Sequence, residues 1–284
     1  MNRFELHLAR DAYPSRVREG VDPPPTIYGI GEASLLDTPT LGVIGARKAT
    51  PYGLKAARML AGWAAAEGYT IISGAAIGCD QAAHQAALEE GGRTVAVLGC
   101  GCDVDYPAGA HELLQVLRLE HAVVSERPWE APPARWAFRQ RNRLIAALSD
   151  SLLIVEAALP SGTFSTVDFA VDGQTDVLAV PGSVFSPTSR GCNRLIAQGA
   201  TIITDVSDLA AALGHMRIQT EHSILERSTD TSARILAALL ADPMRPDDVA
   251  YELTLDILTV SRALSELERE GALVRYRDGR YGPG

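Results

Sequence analysis

The chain has 284 residues, 46% apolar and 21% charged, which supports a substantial core and excludes disordered and fibrous classes. Its 26 Lys and Arg against 35 Asp and Glu leave a formal charge of −9, the reverse of the basic surplus usual for a nucleic-acid partner. No apolar run reaches membrane-spanning length, the first ten residues carry no signal pattern, and four irregularly spaced Cys make no disulfide framework. A cytoplasmic protein with reduced thiols and no membrane contact is expected.

Residues 1–40 hold 4 basic and 6 acidic side chains, 41–213 hold 13 and 17, and 214–284 hold 9 and 12, so no region is basic overall. Only Lys48 and Lys55 are lysines, however. The other 24 cations are arginines, suited to bidentate phosphate contacts and to stacking on bases. Any nucleic-acid site must therefore be local.

In residues 1–39, Tyr13-Pro14 and Asp22-Pro23-Pro24-Pro25 predict an extended segment laid over the next domain, because Pro lacks a donor and turns its neighbour away from helix. Residues 40–214 alternate short β-branched runs with Ala/Leu segments of helical period. That is the α/β pattern of a doubly wound, mainly parallel sheet covered on both faces. Strands are predicted at Leu41–Ile44, Thr70–Ser73, Thr94–Leu98, Ala122–Ser125, Leu152–Val155, Val177–Val180 and Thr201–Ile203. Helices are predicted at Leu54–Ala66, Gln81–Leu88, Phe138–Leu148 and Thr166–Asp172. Right-handed crossovers then bring every strand's carboxyl end to one edge.

Residues 215–231 are polar and aperiodic, a linker. Residues 232–284 predict helices at Ser232–Leu240, Arg245–Leu253 and Leu258–Glu270, then a hairpin turning at Asp278-Gly279. Together these make a winged helix with its recognition helix third.

Small residues follow several strands: Gly45-Ala46-Arg47-Lys48, Gly74-Ala75-Ala76-Ile77-Gly78, Gly99-Cys100-Gly101, Ser161-Gly162-Thr163 and Pro181-Gly182-Ser183. Gly is common in any strand-to-helix turn, but five such loops on one edge predict a crevice where backbone N–H groups meet phosphates. Arg135 to Arg143 packs four Arg with Trp136 and Phe138 and no acid, the combination expected for single-stranded nucleic acid. Arg139 and Arg143 share a helix face at i,i+4 and Arg141 points elsewhere; Arg143 could instead bridge to a carboxylate. Arg47 is placed to clamp a phosphate, or to pair with an acid at the sheet edge. Arg190-Gly191-Cys192-Asn193-Arg194 could add a second clamp, or Arg194 could face solvent on the helix it opens. No Walker loop or complete dinucleotide fingerprint occurs, so no nucleotide cofactor is expected. Cys79, Cys100, Cys102 and Cys192 with His84 or His111 lack usual zinc spacing and read as buried thiols, and His84 near Asp80 reads as a core or capping histidine.

Several motifs stand together in one order: Val43-Ile44-Gly45-Ala46-Arg47, Ser73-Gly74 through Gly78-Cys79-Asp80, Arg141-Asn142-Arg143, Val155-Glu156-Ala157 with Ser161-Gly162-Thr163, and Gly191-Cys192-Asn193. From Tyr13 to Asp208 the chain resembles the bacterial DNA-processing protein A (DprA/Smf) family. The resemblance implies an extended Rossmann-like domain that dimerises, binds single-stranded DNA without catalysis, protects it, and hands it to a RecA-type recombinase in natural transformation. It assigns DNA contacts to the Gly45-Ala46-Arg47 and Phe138–Arg143 motifs, and with the strand-end loops the expected contacts are Gly45, Ala46, Arg47, Lys48, Ser73, Gly74, Phe138, Arg139, Arg141, Asn142, Arg143, Ser161, Gly162, Thr163, Asn193 and Arg194. Two departures stand out: Ala46 lacks the family's hydroxyl, and Arg139 replaces a Pro that would signal a helix start. The family's N-terminal SAM-like domain is expected to be absent.

Two other readings compete. Pro160-Ser161-Gly162-Thr163 ending at Asp168 resembles a degraded phosphate loop of nucleotide phosphoribohydrolases, with Phe164 where a Gly is needed and Asp168 for a Glu. A transcriptional regulator is the third. Against it, Ser261–Glu270 carries three Glu and two Arg, so the winged helix is expected to contact protein, or duplex DNA only weakly.

Overall fold

Short β-branched runs bounded by Gly and Pro fold here into one nine-stranded sheet. The computed structural model describes residues 2–214, 231–269, 271–276 and 278–283, in two units that divide after His215. The predicted linker falls on residues 215–230, outside the described residues, and Thr231 already begins a helix.

In the first unit the strands are β1 (Arg3–His7), β2 (Thr26–Gly31), β3 (Thr40–Ile44), β4 (Thr70–Ser73), β5 (Arg93–Leu98), β6 (Ala122–Ser125), β7 (Ser151–Ile154), β8 (Asp176–Ala179) and β9 (Thr201–Ile202). Their spatial order is β1-β2-β6-β5-β4-β3-β7-β8-β9, and every pair from β6 to β9 is parallel. The chain winds outward from β3 to β6, crosses back, and continues from β7 on the other side of β3. The strand order therefore reverses between β3 and β7, where the loops leaving the two strands diverge.

The N-terminal residues correct the expected extended cover. β1 and β2 pair antiparallel, with Arg3 opposite Ile30, and β2 pairs antiparallel with β6, with Tyr28 opposite Ser125. Ile27 and Leu36 are fully buried and Tyr13 nearly so, so this segment completes the sheet and core. The proline cluster occupies only the connection between the two strands.

The helices are α1 (Ser15–Arg18), α2 (Pro51–Ala66), α3 (Cys79–Glu89), α4 (His111–Glu120), α5 (Arg135–Leu148), α6 (Thr163–Asp172), α7 (Arg190–Ala197) and α8 (Val206–Ala212). α2 starts where Thr50 caps it, its Oγ1 accepting from Gly53 N at 3.2 Å, with Pro51 at the first helical position. α5 runs unbroken from Arg135 through Arg139, so the helix begins four residues before the position of the family's Pro. Its Leu144, Ile145 and Leu148 are fully buried, each side chain contributing about 1.5–3 kcal/mol of transfer free energy.

His84 lies in the core of α3. Its Nδ1 sits 2.6 Å from Thr94 Oγ1, and burial pushes its pKa down from 6.5 to about 3. A depressed folded pKa gives stability that is present above pH 6.5 and lost as pH falls toward 3, with a slope of up to about 1.4 kcal/mol per pH unit. Denaturant melts between pH 7 and pH 4 should show this loss, and His84→Gln should flatten it; an equal slope in the variant would refute the assignment.

In the second unit, α9 (Thr231–Ala241), α10 (Pro246–Leu253) and α11 (Ile257–Arg269) pack with a two-stranded antiparallel sheet, β10 (Val274–Arg275) with β11 (Tyr281–Gly282), as a winged helix. Ile235, Leu239, Val249, Val260 and Leu264 form its core. The exposed face of α11 carries Arg262, Glu266, Glu268 and Arg269; Glu270 lies outside the described residues.

Candidate nucleic-acid interface

Outside the carboxyl ends of β3 and β7 lies an open crevice of 920 Å³. Gly45, Ala46, Arg47 and Lys48 line it from the loop after β3, and Ser161, Gly162 and Thr163 from the loop after β7. Arg135, Phe138, Arg139, Asn142 and Ile145 line it from one face of α5. These α5 positions recur at three- and four-residue steps, so a single helix face supplies them. Arg47, Lys48, Arg135 and Arg139 are exposed and make no ion pair among the described residues. With Arg141, five cations line the crevice against two carboxylates, Asp80 and the exposed Asp168.

Two buried carboxylates build the loops. Glu156 accepts from Thr50 N at 2.8 Å and Thr50 Oγ1 at 2.9 Å, which ties the start of α2 to the strand end of β7. Asp80 accepts from Gly74 N at 3.2 Å and Ala76 N at 3.4 Å, folding the loop after β4 back onto α3. Burial raises the Asp80 pKa, opposed first by the Arg141 charge and then by these two N–H groups. Gly78 allows the turn: its φ is +98°, and a Cβ there would lie 2.3 Å from Ala46 O.

The structure separates the expected contact residues into three sets. Gly45, Ala46, Arg47, Lys48, Phe138, Arg139, Asn142, Ser161, Gly162 and Thr163 come together on the crevice wall. Arg141 forms its floor, 5% exposed, donating from Nη1 to Val97 O at 2.6 Å, with its Nε unpartnered. Gly74 packs so tightly beneath it that a Cβ would stand 1.9 Å from Arg141 Nη1.

The third set does not face the crevice. Arg143 is buried and paired with Glu126 and, at 3.0 Å, with Asp22, so it is a structural bridge and not a phosphate ligand. Two residues along the helix from Arg141, it points to another side of α5, and the expected shared face with Arg139 is not realised at the crevice. Ser73 is also corrected: its side chain is buried and its hydroxyl donates to Val43 O at 2.6 Å. Asn193 clamps Gly182, Nδ2 to O at 2.9 Å and Oδ1 from N at 3.1 Å, and Arg194 is exposed on α7 away from the crevice.

Beside the crevice is a smaller, mainly apolar pocket of 310 Å³ lined by Arg47, Ile77, Leu98, Tyr106, Phe138 and Arg141 among others. The Tyr106 and Phe138 rings lie 5.1 Å apart, tilted by 30°, and the Arg47 guanidinium sits 5.8 Å from the Phe138 centroid. Arg118, itself buried, shapes the Tyr106 loop by pairing with Asp105 at 2.6 Å and donating to Cys102 O at 2.8 Å.

Tyr106, Asp80, Glu156 and Thr188 were not among the expected contact or lining residues, although Asp80 and Glu156 stand inside recognisable motifs. The signal that locates the interface is an absence of acids. Residues 38–66, 131–149 and 177–204 contain no Asp or Glu and ten Lys or Arg, leaving 16 basic against 35 acidic residues elsewhere. These windows supply the loops after β3 and β8 and all of α5. The four cysteines are buried and free, and burial pushes the Cys79 and Cys192 thiols up to about 12. No group of His, Cys, Asp and Glu among the described residues is arranged to hold a metal ion, and no described helix is long and apolar enough to cross a membrane.

The chain is thus an open α/β protein with a cation-lined crevice at the switch point of its doubly wound sheet. A family model described as DNA recombination-mediator protein A matches residues 6–214, and one for the DprA winged helix domain matches residues 219–279. The chain belongs to the DNA recombination-mediator protein A (DprA/Smf) family. It is 37% identical over 201 residues to the DNA processing protein DprA of Streptococcus pneumoniae, covering 71% of each chain. It is 35% identical over 260 residues to the protein Smf of Escherichia coli, covering 88% of this chain and 69% of that one. The solved S. pneumoniae DprA is similar with a TM-score of 0.71 at 35% identity over 74% of each chain. DprA from Helicobacter pylori, solved in a study of its single-stranded DNA binding mode, gives 0.68 at 31% identity, covering 75% of this chain and 96% of that one.

Proposed function

We propose that the protein is a non-enzymatic recombination mediator that binds single-stranded DNA along the carboxyl edge of its sheet. The observation that carries this reading is the set of cations, Arg47, Lys48, Arg135 and Arg139, that have no ion pair among the described residues and stand around one crevice of a chain whose net charge is −9. Phosphates lie against these side chains and the backbone N–H groups of the loops after β3 and β7. A base packs against Phe138 and Tyr106 in the adjoining pocket. Arg141 supports this surface from below, and Arg143 holds α5 in place. The H. pylori relative's single-strand binding favours the same ligand. Handing the strand to a RecA-type recombinase, protecting it meanwhile, and acting as a homodimer follow from the family resemblance.

Fluorescence anisotropy with labelled single- and double-stranded oligonucleotides at low and high salt tests the reading. Tight single-strand binding is expected, weakening steeply with salt and exceeding duplex binding. Equal affinity for both forms, or none for single strands, would overturn it. Asp168, exposed at the crevice, keeps the phosphoribohydrolase alternative in view, but Phe164 occupies the position where close phosphate approach needs a glycine.

A further inference from the structure

We infer that the loop after β8 carries a second base-stacking platform, Phe185 supported by Val184, that extends the single-stranded DNA track beyond the crevice; this rests on the proposed DNA-binding reading. Phe185 is 90% exposed and Val184 75%, consecutive apolar side chains held in solvent at a strand end. Such exposure costs hydrophobic free energy unless a ligand covers it.

The loop is braced, so the ring is displayed by design of the turn and not by slack. Phe185 N donates to Ser183 Oγ at 3.2 Å, and Ser186 N to Ser183 O at 3.0 Å. Asn193 clamps Gly182 from both sides, Tyr52 Oη donates to Pro181 O at 2.6 Å, and Gly191 N donates to Ala157 O at 2.7 Å. The loop is anchored at both ends while its tip stands free.

Place and charge select the ligand. β8 lies next to β7, and Thr188, at the end of this loop, lines the crevice. From the Phe138 and Tyr106 pocket beside β5 to this loop, the sheet edge crosses β4, β3 and β7, about 19 Å at the usual strand spacing. A chain laid on that edge passes Arg47 and the Ser161–Thr163 loop before reaching Phe185. The acid-free window 177–204 surrounds the tip, with Arg190 exposed close by. A flexible polyanion with an aromatic face at every repeat fits this arrangement; an acidic peptide supplies the charge without the regular stacking groups.

Phe185→Ala, Phe185→Tyr and Arg47→Ala variants of the full chain would be titrated with (dT)12 and with a 12-mer of abasic sugar-phosphate. Phe185→Ala is expected to weaken (dT)12 binding about ten-fold, leave abasic binding and the salt slope unchanged, and be restored by Phe185→Tyr. Arg47→Ala is expected to weaken both ligands. Unchanged (dT)12 affinity in Phe185→Ala, with Arg47→Ala still impaired, would overturn the platform while sparing the DNA-binding reading, and would point to a protein ligand for this loop. Equal loss for both ligands would overturn stacking as the cause. Failure of the parent to bind (dT)12 would overturn both.

Discussion

Replacing Arg47 by Glu should cut single-stranded DNA affinity by about 100-fold or more while leaving the fold intact. Arg47 is exposed at the point where strand order reverses and makes no ion pair among the described residues. A charge-assisted contact to phosphate contributes about 1.5–3 kcal/mol, and reversal adds repulsion from the same phosphate. Arg47 is exposed, and only its ring contact with Phe138 and its minor charge effect on Asp80 are lost, so stability should move by no more than about 1 kcal/mol. Arg47→Ala should lose less and flatten the salt dependence of log K by about 0.7, the release of one counterion from a single strand. Anisotropy titrations between about 50 and about 200 mM salt measure both quantities. Parent-like affinity for Arg47→Glu would remove the crevice from consideration as the phosphate site.

Arg141→Ala should act by a different route, lowering stability by roughly 3–5 kcal/mol because it strips the largest opposing charge from buried Asp80 and empties the crevice floor. Asp80's pKa, already raised by burial, climbs further in the variant. A carboxyl with a raised folded pKa contributes stability that is kept at acid pH and lost as pH rises through that value. The stability gap between parent and variant should therefore be narrower at pH 5 than at pH 8. Urea melts at the two pH values check this, and adding Asp80→Asn should remove the pH dependence of the gap. A gap of equal size at both pH values would show that the Asp80 charge is not what Arg141 offsets. DNA binding should fall too, since Gly74 and the Phe138 pocket both rest on this guanidinium.

The parallel strands were legible as short runs of aliphatic and β-branched residues, β3 to β6 being ended by Gly or Ser, and the observed bounds differ from the expected ones by a residue or so. β1 and β2 were hidden by the opposite circumstance. Their apolar residues alternate with Arg3, Glu5 and His7 or with glycines, and the prolines between them dominate the local signal. α4, with one apolar stripe of Leu113, Leu114 and Leu117, was not among the expected helices. In the site, the residues after the strand ends were legible from their order along the chain, whereas spacing on α5 paired Arg139 with Arg143 and missed that Arg141 is the one that joins Arg139 at the crevice. What spacing could not supply was depth: Arg143 is buried because Glu126 on the β6 loop and Asp22 from the N-terminal segment converge on it. Ser73 is likewise consumed by a neighbouring strand's carbonyl. Such partners come from distant parts of the chain, and no local pattern announces them.

The three acid-free windows also govern how a strand arrives. In the first unit, five cations against two carboxylates at the crevice give this edge a local positive surplus that draws polyphosphate toward it. Encounters are thus sorted by orientation before contact, and the gain falls on the association rate. For the single-stranded ligand proposed above, the expected consequence is faster capture at the crevice than on the acidic remainder of the surface.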